Sequence, residues 1–292
     1  MECNGIITAM VTPMQENQEI DLVATKQLIN RLIDKGVHGL FILGTNGEAH
    51  VLNHAEKIEF AKFVITEVAG RVPVYVGVGE NSTKESVKLA KEMESLGADA
   101  LSVITPYFEP PTQSELIVHY ESIANAVTIP IIIYNMPKKT GVNVDPKTIE
   151  KLSKISNIQG VKDSSGNIEN MTAYIELTKG HEFSVLSGSD SLILEVLQRG
   201  GTGGVSSISN FLTTIMLDIY HYWQIGELEL AKQKQLEIED FRAILKLGTI
   251  PSVLKASLSL ANIEVGPARL PVQVPNEEKM KKIRQVVESY RQ

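Results

Sequence analysis

Lys162 stands at the end of an apolar, strand-like run, Asn157-Ile-Gln-Gly-Val-Lys162-Asp-Ser-Ser-Gly166, where the chain turns to serine and glycine. A lysine held partly out of water at such a turn can attack a carbonyl and form a Schiff base, because desolvation favours the neutral amine. A free lysine titrates near 10.4, so bringing this one to neutrality requires roughly 4–5 kcal/mol of desolvation or like-charge repulsion. Tyr134 ends another run, Ile131-Ile-Ile-Tyr134-Asn-Met-Pro137, where it is either a proton-passing hydroxyl or an aromatic plug. Tyr107 lies in a proline-stiffened loop, Thr105-Pro-Tyr107-Phe-Glu-Pro-Pro111, and is either presented for a function or packed as an interface aromatic.

Two glycine-rich stretches offer backbone to a ligand. Gly44-Thr-Asn-Gly-Glu48 reads as a turn opening a helix, whose N–H groups hold an anion such as a carboxylate unless glycine only serves the turn's angles. Gly200-Gly-Thr-Gly-Gly204, followed by Ser206, Ser207, Ser209 and Asn210, leaves the same choice between anion site and tight turns. Asp190, in Gly188-Ser189-Asp190, reads equally as a helix N-cap.

Other chemistries lack their residues. Gly44–Glu48 has no Gly-Lys-Ser/Thr ending, so it is no phosphate P-loop. No Gly-x-Ser-x-Gly elbow supports a serine hydrolase, and no Gly-x-Gly-x-x-Gly follows a strand to support a dinucleotide site. His50 and His54 have the spacing of paired metal ligands but belong to no His-Glu-x-x-His motif, so no metal is expected. Cys3 is the single cysteine, which excludes an internal disulfide framework and fits a reducing cytoplasm. The net charge of −7, without a basic patch, argues against nucleic acid as a partner. No apolar run reaches the ~20 residues of a membrane span, and no signal peptide is evident at Met1-Glu-Cys-Asn-Gly, so a cytoplasmic location without membrane partners is expected.

Positioning these residues falls to a repeated strand–helix pattern. Eight short runs rich in Val and Ile read as strands: Gly5–Met10, Gly39–Leu43, Val74–Gly77, Ala100–Ile104, Ile129–Tyr134, Ile158–Val161, Phe183–Leu186 and Gly203–Ser206. Amphipathic segments between them, such as Leu22–Lys35, Ala55–Val68, Lys84–Leu96 and Gln113–Ala126, read as helices, with Asp21, Asn53 and Ser82 as candidate caps. Eight such units close most economically as a (β/α)8 barrel, with a doubly wound open sheet as the competitor. After Asn210 the pattern turns helical: Phe211–Ile225, Glu227–Leu247, Pro251–Ala261 and Glu277–Tyr290. The expected organisation is a catalytic α/β barrel over residues 1–225 and a C-terminal helical extension over 226–292, packed on it.

Gly44-Thr-Asn-Gly-Glu48, Tyr134-Asn-x-Pro137 with Thr140-Gly141, and Gly-Val-Lys162-Asp, in this order and each at a strand end, resemble the N-acetylneuraminate lyase/dihydrodipicolinate synthase family. The likeness runs from Gly5 to about Asn210, and the helical tail is also similar. The resemblance implies a class I aldolase or lyase of pyruvate or other 2-keto acids, needing no metal and no cofactor beyond the imine on Lys162. It assigns Tyr134 as the acid/base, and Thr45, Asn46 and Gly47 to the keto-acid carboxylate. Val205 offers backbone to the pyruvyl group, and Tyr107 lies on a loop reaching across a tight dimer interface. The implied assembly is a homotetramer, a dimer of dimers, with small keto acids and aldehydes as its partners.

Three positions depart from the synthases of that family, which usually carry threonine at Asn46, tyrosine at Phe108 and arginine at Lys139. Phe108 has no hydroxyl for a proton relay. A lysine offers an acceptor carboxylate a point charge where arginine offers a fork. These departures favour cleavage of a 2-keto-3-deoxy sugar acid to pyruvate and an aldehyde, with Ser164, Asp190 and Ser207 meeting substrate hydroxyls. The alternatives are 4-hydroxy-tetrahydrodipicolinate (dihydrodipicolinate) synthase, joining pyruvate to aspartate semialdehyde, and an N-acetylneuraminate lyase-like enzyme or keto-acid dehydratase.

Overall fold

A computed structural model describes residues 3–291; residues 1, 2 and 292, the ends of the expected ranges, lie outside it. Eight strands, β1 (Gly5–Ala9), β2 (Gly39–Ile42), β3 (Val74–Gly77), β4 (Ala100–Ile104), β5 (Ile131–Asn135), β6 (Ile158–Asp163), β7 (Ser184–Ser187) and β8 (Gly203–Ser206), form one closed barrel in chain order. The fold is the expected (β/α)8 barrel with further helices at the C-terminal end. The strands are buried along almost their whole length, as parallel strands between an interior and a helical layer must be.

Helices α1 (Leu22–Asp34), α2 (His54–Val68), α3 (Thr83–Ser95) and α4 (Gln113–Ala124) follow the first four strands. Asp21 caps α1 by accepting from the Ala24 N–H, and Asn53 forms a reciprocal capping box with Glu56 at the start of α2. Ser82 occupies the corresponding position before α3 but makes no side-chain cap bond. Short helices occupy the later connections: α5 (Pro137–Thr140), α6 (Pro146–Leu152), α7 (Ile168–Leu177) and α8 (Ile193–Gln198). The C-terminal part is α9 (Thr213–Gln224), α10 (Leu228–Glu237), α11 (Glu239–Leu245), α12 (Ile250–Leu260) and α13 (Glu277–Ser289). The segment expected as one helix over Glu227–Leu247 breaks at Ile238, which ends α10 and precedes α11. Among the described residues no single helix is long and apolar enough to cross a membrane.

The contacts group into two compact units. The first comprises described residues up to Ile7 and Pro73–Ser206, and so holds β3 to β8. Its β5–β6 pair is in register at Tyr134 with Lys162 and at Asn135 with Asp163, after an irregularity between Ile131 and Ile132. The second comprises Thr8–Val72 and the described residues from Ser207 onward. There Asn210, fully buried, accepts from the Val11 N–H at 3.2 Å and donates to the Ala9 carbonyl at 2.8 Å. One side chain thus satisfies backbone groups about two hundred residues away.

Candidate active site

Strand alternation sets which side chains share a face. Asn135 and Asp163 bond to Tyr174 and Asn170 of α7, so they point outward to the helical layer. Their neighbours Tyr134 and Lys162 therefore point into the barrel. There the Lys162 Nζ lies 3.9 Å from the centre of the Tyr134 ring. Lys162 is 5% exposed and Tyr134 3%. Burial lowers the lysine pKa from 10.5 to about 7, with the Asp190 carboxylate pulling the other way. Burial thus favours the unprotonated amine that a nucleophile requires.

Glycine makes room beside that amine. A Cβ added at Gly188 would stand 3.0 Å from the Lys162 Cε and 2.0 Å from the Ser164 Oγ. Ser164, at the strand end, donates its N–H to the Asn135 carbonyl at 2.8 Å. Asp190 opens a short 3-10 turn, Asp190–Leu192, and is half-buried. The Tyr134 hydroxyl donates to the Met136 sulfur at 2.9 Å. Val205 is buried in β8.

The loop after β4 holds Tyr107 half-buried, its N–H donating to the Asn81 side chain at 2.8 Å. Burial and the nearby Glu80 push its phenol upward. Phe108, next along, is 94% exposed and has a left-handed φ of 80°. Lys139 is exposed on α5.

Thr45, Asn46, Gly47 and Ser207 belong to the second unit. The Gly44–Glu48 turn opens a short 3-10 helix, Ala49–Val51, ahead of α2. The Glu48 and Ala49 N–H groups close the turn on the Thr45 and Gly44 carbonyls, and the Gly47 carbonyl accepts from the Thr12 hydroxyl at 2.7 Å. Asn46 reaches the Ala9 carbonyl at 3.5 Å, and Ser207 is half-buried with its carbonyl accepting from Asn210. Glu48 holds a left-handed φ of 57° and pairs with Lys255 at 2.6 Å; each side chain is 1% exposed. The second Glu48 oxygen accepts from the Arg269 N–H, and Lys255 also donates to the Pro267 carbonyl. The Arg269 guanidinium binds the Val51 and Gln18 carbonyls and Glu56.

The sequence reading assigned no role to Glu48, Lys255 and Arg269, nor to Asn135, Asp163 and Tyr174. Asn135 and Asp163 follow Tyr134 and Lys162 directly, and a polar residue after each reactive one at a strand end is the only signal of them in the sequence.

The Dihydrodipicolinate synthetase family matches this chain over residues 2–290. A 4-hydroxy-tetrahydrodipicolinate synthase of Oceanobacillus iheyensis is 36% identical over 290 residues, covering 99% of this chain and 98% of its own. This chain belongs to the dihydrodipicolinate synthetase family. Members are class I Schiff-base aldolases and lyases that use a lysine imine with pyruvate and no metal. Dihydrodipicolinate synthase of Thermotoga maritima superposes with a TM-score of 0.96 at 33% identity, covering 99% of each chain. YagE, a prophage protein of this family from E. coli K12 solved with pyruvate, also reaches 0.96, at 29% identity, with 100% of this chain and 99% of its own covered.

Proposed function

We propose that this enzyme is a 4-hydroxy-tetrahydrodipicolinate synthase that condenses pyruvate with aspartate semialdehyde through an imine on Lys162. The sugar-acid cleavage favoured by the sequence gives way here, because relatives aligned along nearly the whole chain, the Oceanobacillus iheyensis enzyme among them, carry the synthase name. The observation that carries the imine is the Lys162 amine, buried over the Tyr134 ring and lowered to about 7.

In this reading the neutral amine adds to the ketone of pyruvate and water leaves. The resulting iminium draws electrons from the methyl carbon, which loses a proton to give an enamine. The enamine carbon attacks the aldehyde and the aldehyde oxygen takes up a proton; the acceptor's own amino group then adds to the restored iminium and expels the Lys162 amine, closing the ring. Tyr134 serves these proton transfers. Thr45, Asn46 and Gly47 hold the pyruvyl carboxylate, Val205 lies against the pyruvyl group, and Lys139 attracts the acceptor's carboxylate. Ser164, Asp190 and Ser207 complete the polar wall around the acceptor. Tyr107 acts from a loop between copies in a cytoplasmic homotetramer.

One observation keeps the sugar-acid reading as the second choice: Phe108 brings no hydroxyl to its loop and stands in solvent. A paired assay separates the two. Product formation from pyruvate and aspartate semialdehyde is measured beside pyruvate release from 2-keto-3-deoxygluconate, with Lys162→Ala as control. The synthase reading predicts the first activity, lost in the variant. Release of pyruvate with no condensation would overturn it.

A further inference from the structure

On the helix side of the β5–β6 pair, the neighbours of Tyr134 and Lys162 meet. The Asn135 amide donates to the Asp163 Oδ1 at 2.8 Å, and both residues are fully buried. Asp163 Oδ1 also accepts from the Ser165 N–H at 3.1 Å. Its Oδ2 accepts from the Ser165 hydroxyl at 2.6 Å and the Asn170 amide at 3.4 Å. A carboxylate is an acceptor on both oxygens, so one side chain can take four donors from β5, the loop and α7. Asn135 in turn donates to Asn143 at 2.7 Å and accepts from the Val144 N–H at 3.0 Å.

The backbone of these residues extends the link toward the amine. The Asp163 carbonyl accepts from the Gly188 N–H at 2.7 Å, and Gly188 is the residue whose missing Cβ leaves space for the Lys162 Cε. The ladder shifts between Ile131 and Ile132 and runs regularly from Ile132 to Asn135, so the register that matters is set above the irregularity, where the side-chain link lies. A slip of one residue would exchange the inward and outward faces, removing the ring from beneath the amine.

We propose that Asp163 is a positioning residue for the imine-forming lysine: its bond to Asn135 locks the β5–β6 register from outside the barrel and so holds Lys162 over Tyr134 and beside Gly188. The inference rests on Lys162 as the reacting amine and adds to that reading the residue that sets its geometry. The role is geometric, not electrostatic. Asp190 and the Tyr134 ring act on the amine from the inner face.

Asp163→Asn keeps an oxygen for Asn135 and the Ser165 N–H. Its new amide can donate to the Ser165 hydroxyl, and the Asn170 amide can turn to accept. Asp163→Ala removes every acceptor, and Asn135→Ser removes the same link from the other strand. The full-length enzyme is tested in two ways. One is the rate at which pyruvate and borohydride label Lys162. The other is the pH midpoint of Lys162 acetylation by acetic anhydride, read by peptide mass spectrometry.

Asp163→Ala is expected to slow pyruvate labelling at least tenfold and to raise the midpoint by a pH unit or more as the amine leaves its buried place. Asn135→Ser moves both in the same direction and decides the matter should Asp163→Ala fail to accumulate. Asp163→Asn stays within about threefold of the parent. Tyr174→Phe, which removes a hydroxyl bonded to the Asn135 amide and the Val144 carbonyl but leaves the Asn135–Asp163 bond intact, lowers the melting temperature and leaves the midpoint in place. An Asp163→Asn variant as impaired as Asp163→Ala would overturn the geometric role, as would an unmoved midpoint in both Asp163→Ala and Asn135→Ser. If the parent is not labelled by pyruvate, the imine reading fails, and the acetylation midpoints still decide the coupling.

Discussion

A buried lysine costs the fold stability wherever it carries a proton. Lys162 titrates near 7 when folded and near 10.5 when unfolded. Below pH 7 both states hold the proton and the full penalty stands. Between 7 and 10.5 only the unfolded chain keeps it, so stability rises with pH through that window. Each pH unit separating the two values corresponds to about 1.36 kcal/mol. Lys162→Met is therefore expected to exceed the parent by a few kcal/mol at pH 6, with the two converging above pH 10.5; denaturant melts at both ends of the range check this. Imine formation has the related dependence, and borohydride trapping of pyruvate should rise with pH through about 7. A trapping rate flat from pH 6 to 8.5 would contradict the lowered amine. At Gly188 the crowding of an added Cβ against Ser164 and Lys162 predicts that Gly188→Ala cuts trapping about 100-fold, the scale of a 1 Å misplacement. Single-turnover labelling measures it.

Among elements, the second-unit anchor around Glu48 carries the clearest stability prediction. Lys255 on α12 and Glu48 are both buried, so truncating either leaves an uncompensated charge. Lys255→Ala is expected to cost about 3–5 kcal/mol, and the double variant with Glu48→Gln less than the sum of the two single changes. Urea denaturation of the four proteins tests this, and strict additivity would argue against a working pair. The strands were readable because each is an apolar run of four to six residues bounded by turn formers, a signal that needs no tertiary information. α5 to α8 were not, since segments of four to ten residues span too few turns to show a period. The break at Ile238 has neither Gly nor Pro to announce it; the residue is fully buried and only the packing reveals it. Lys162 and Tyr134 were legible as reactive types at strand ends. Asn135 and Asp163 became meaningful only once the register placed them opposite each other.

At the scale of the whole molecule, the proposed homotetramer has a mass of about 128 kDa, four copies of 32.1 kDa. Phe108, with 94% of its surface exposed beside Pro110 and Pro111, is the apolar tip of the loop assigned to contacts between copies. Phe108→Glu is expected to shift sedimenting mass toward smaller species at micromolar concentration. An unchanged tetramer would show that the loop does not hold the assembly. The motifs that carry the resemblance, around Gly44–Glu48, Tyr134–Pro137 and Gly160–Asp163, lie far apart in sequence, which is why their order carries more information than any one of them.

The Arg269 N–H that meets Glu48 is supplied 221 residues later in the chain. On a ribosome adding ~5–20 residues per second, roughly 10–45 s pass between synthesis of the Gly44–Glu48 turn and arrival of the groups that hold it. During that interval the nascent chain carries the turn's Glu48 without Lys255 or Arg269. The loop proposed to grip pyruvate is therefore made early and gains its partners only once Lys255 and Arg269 have been synthesised.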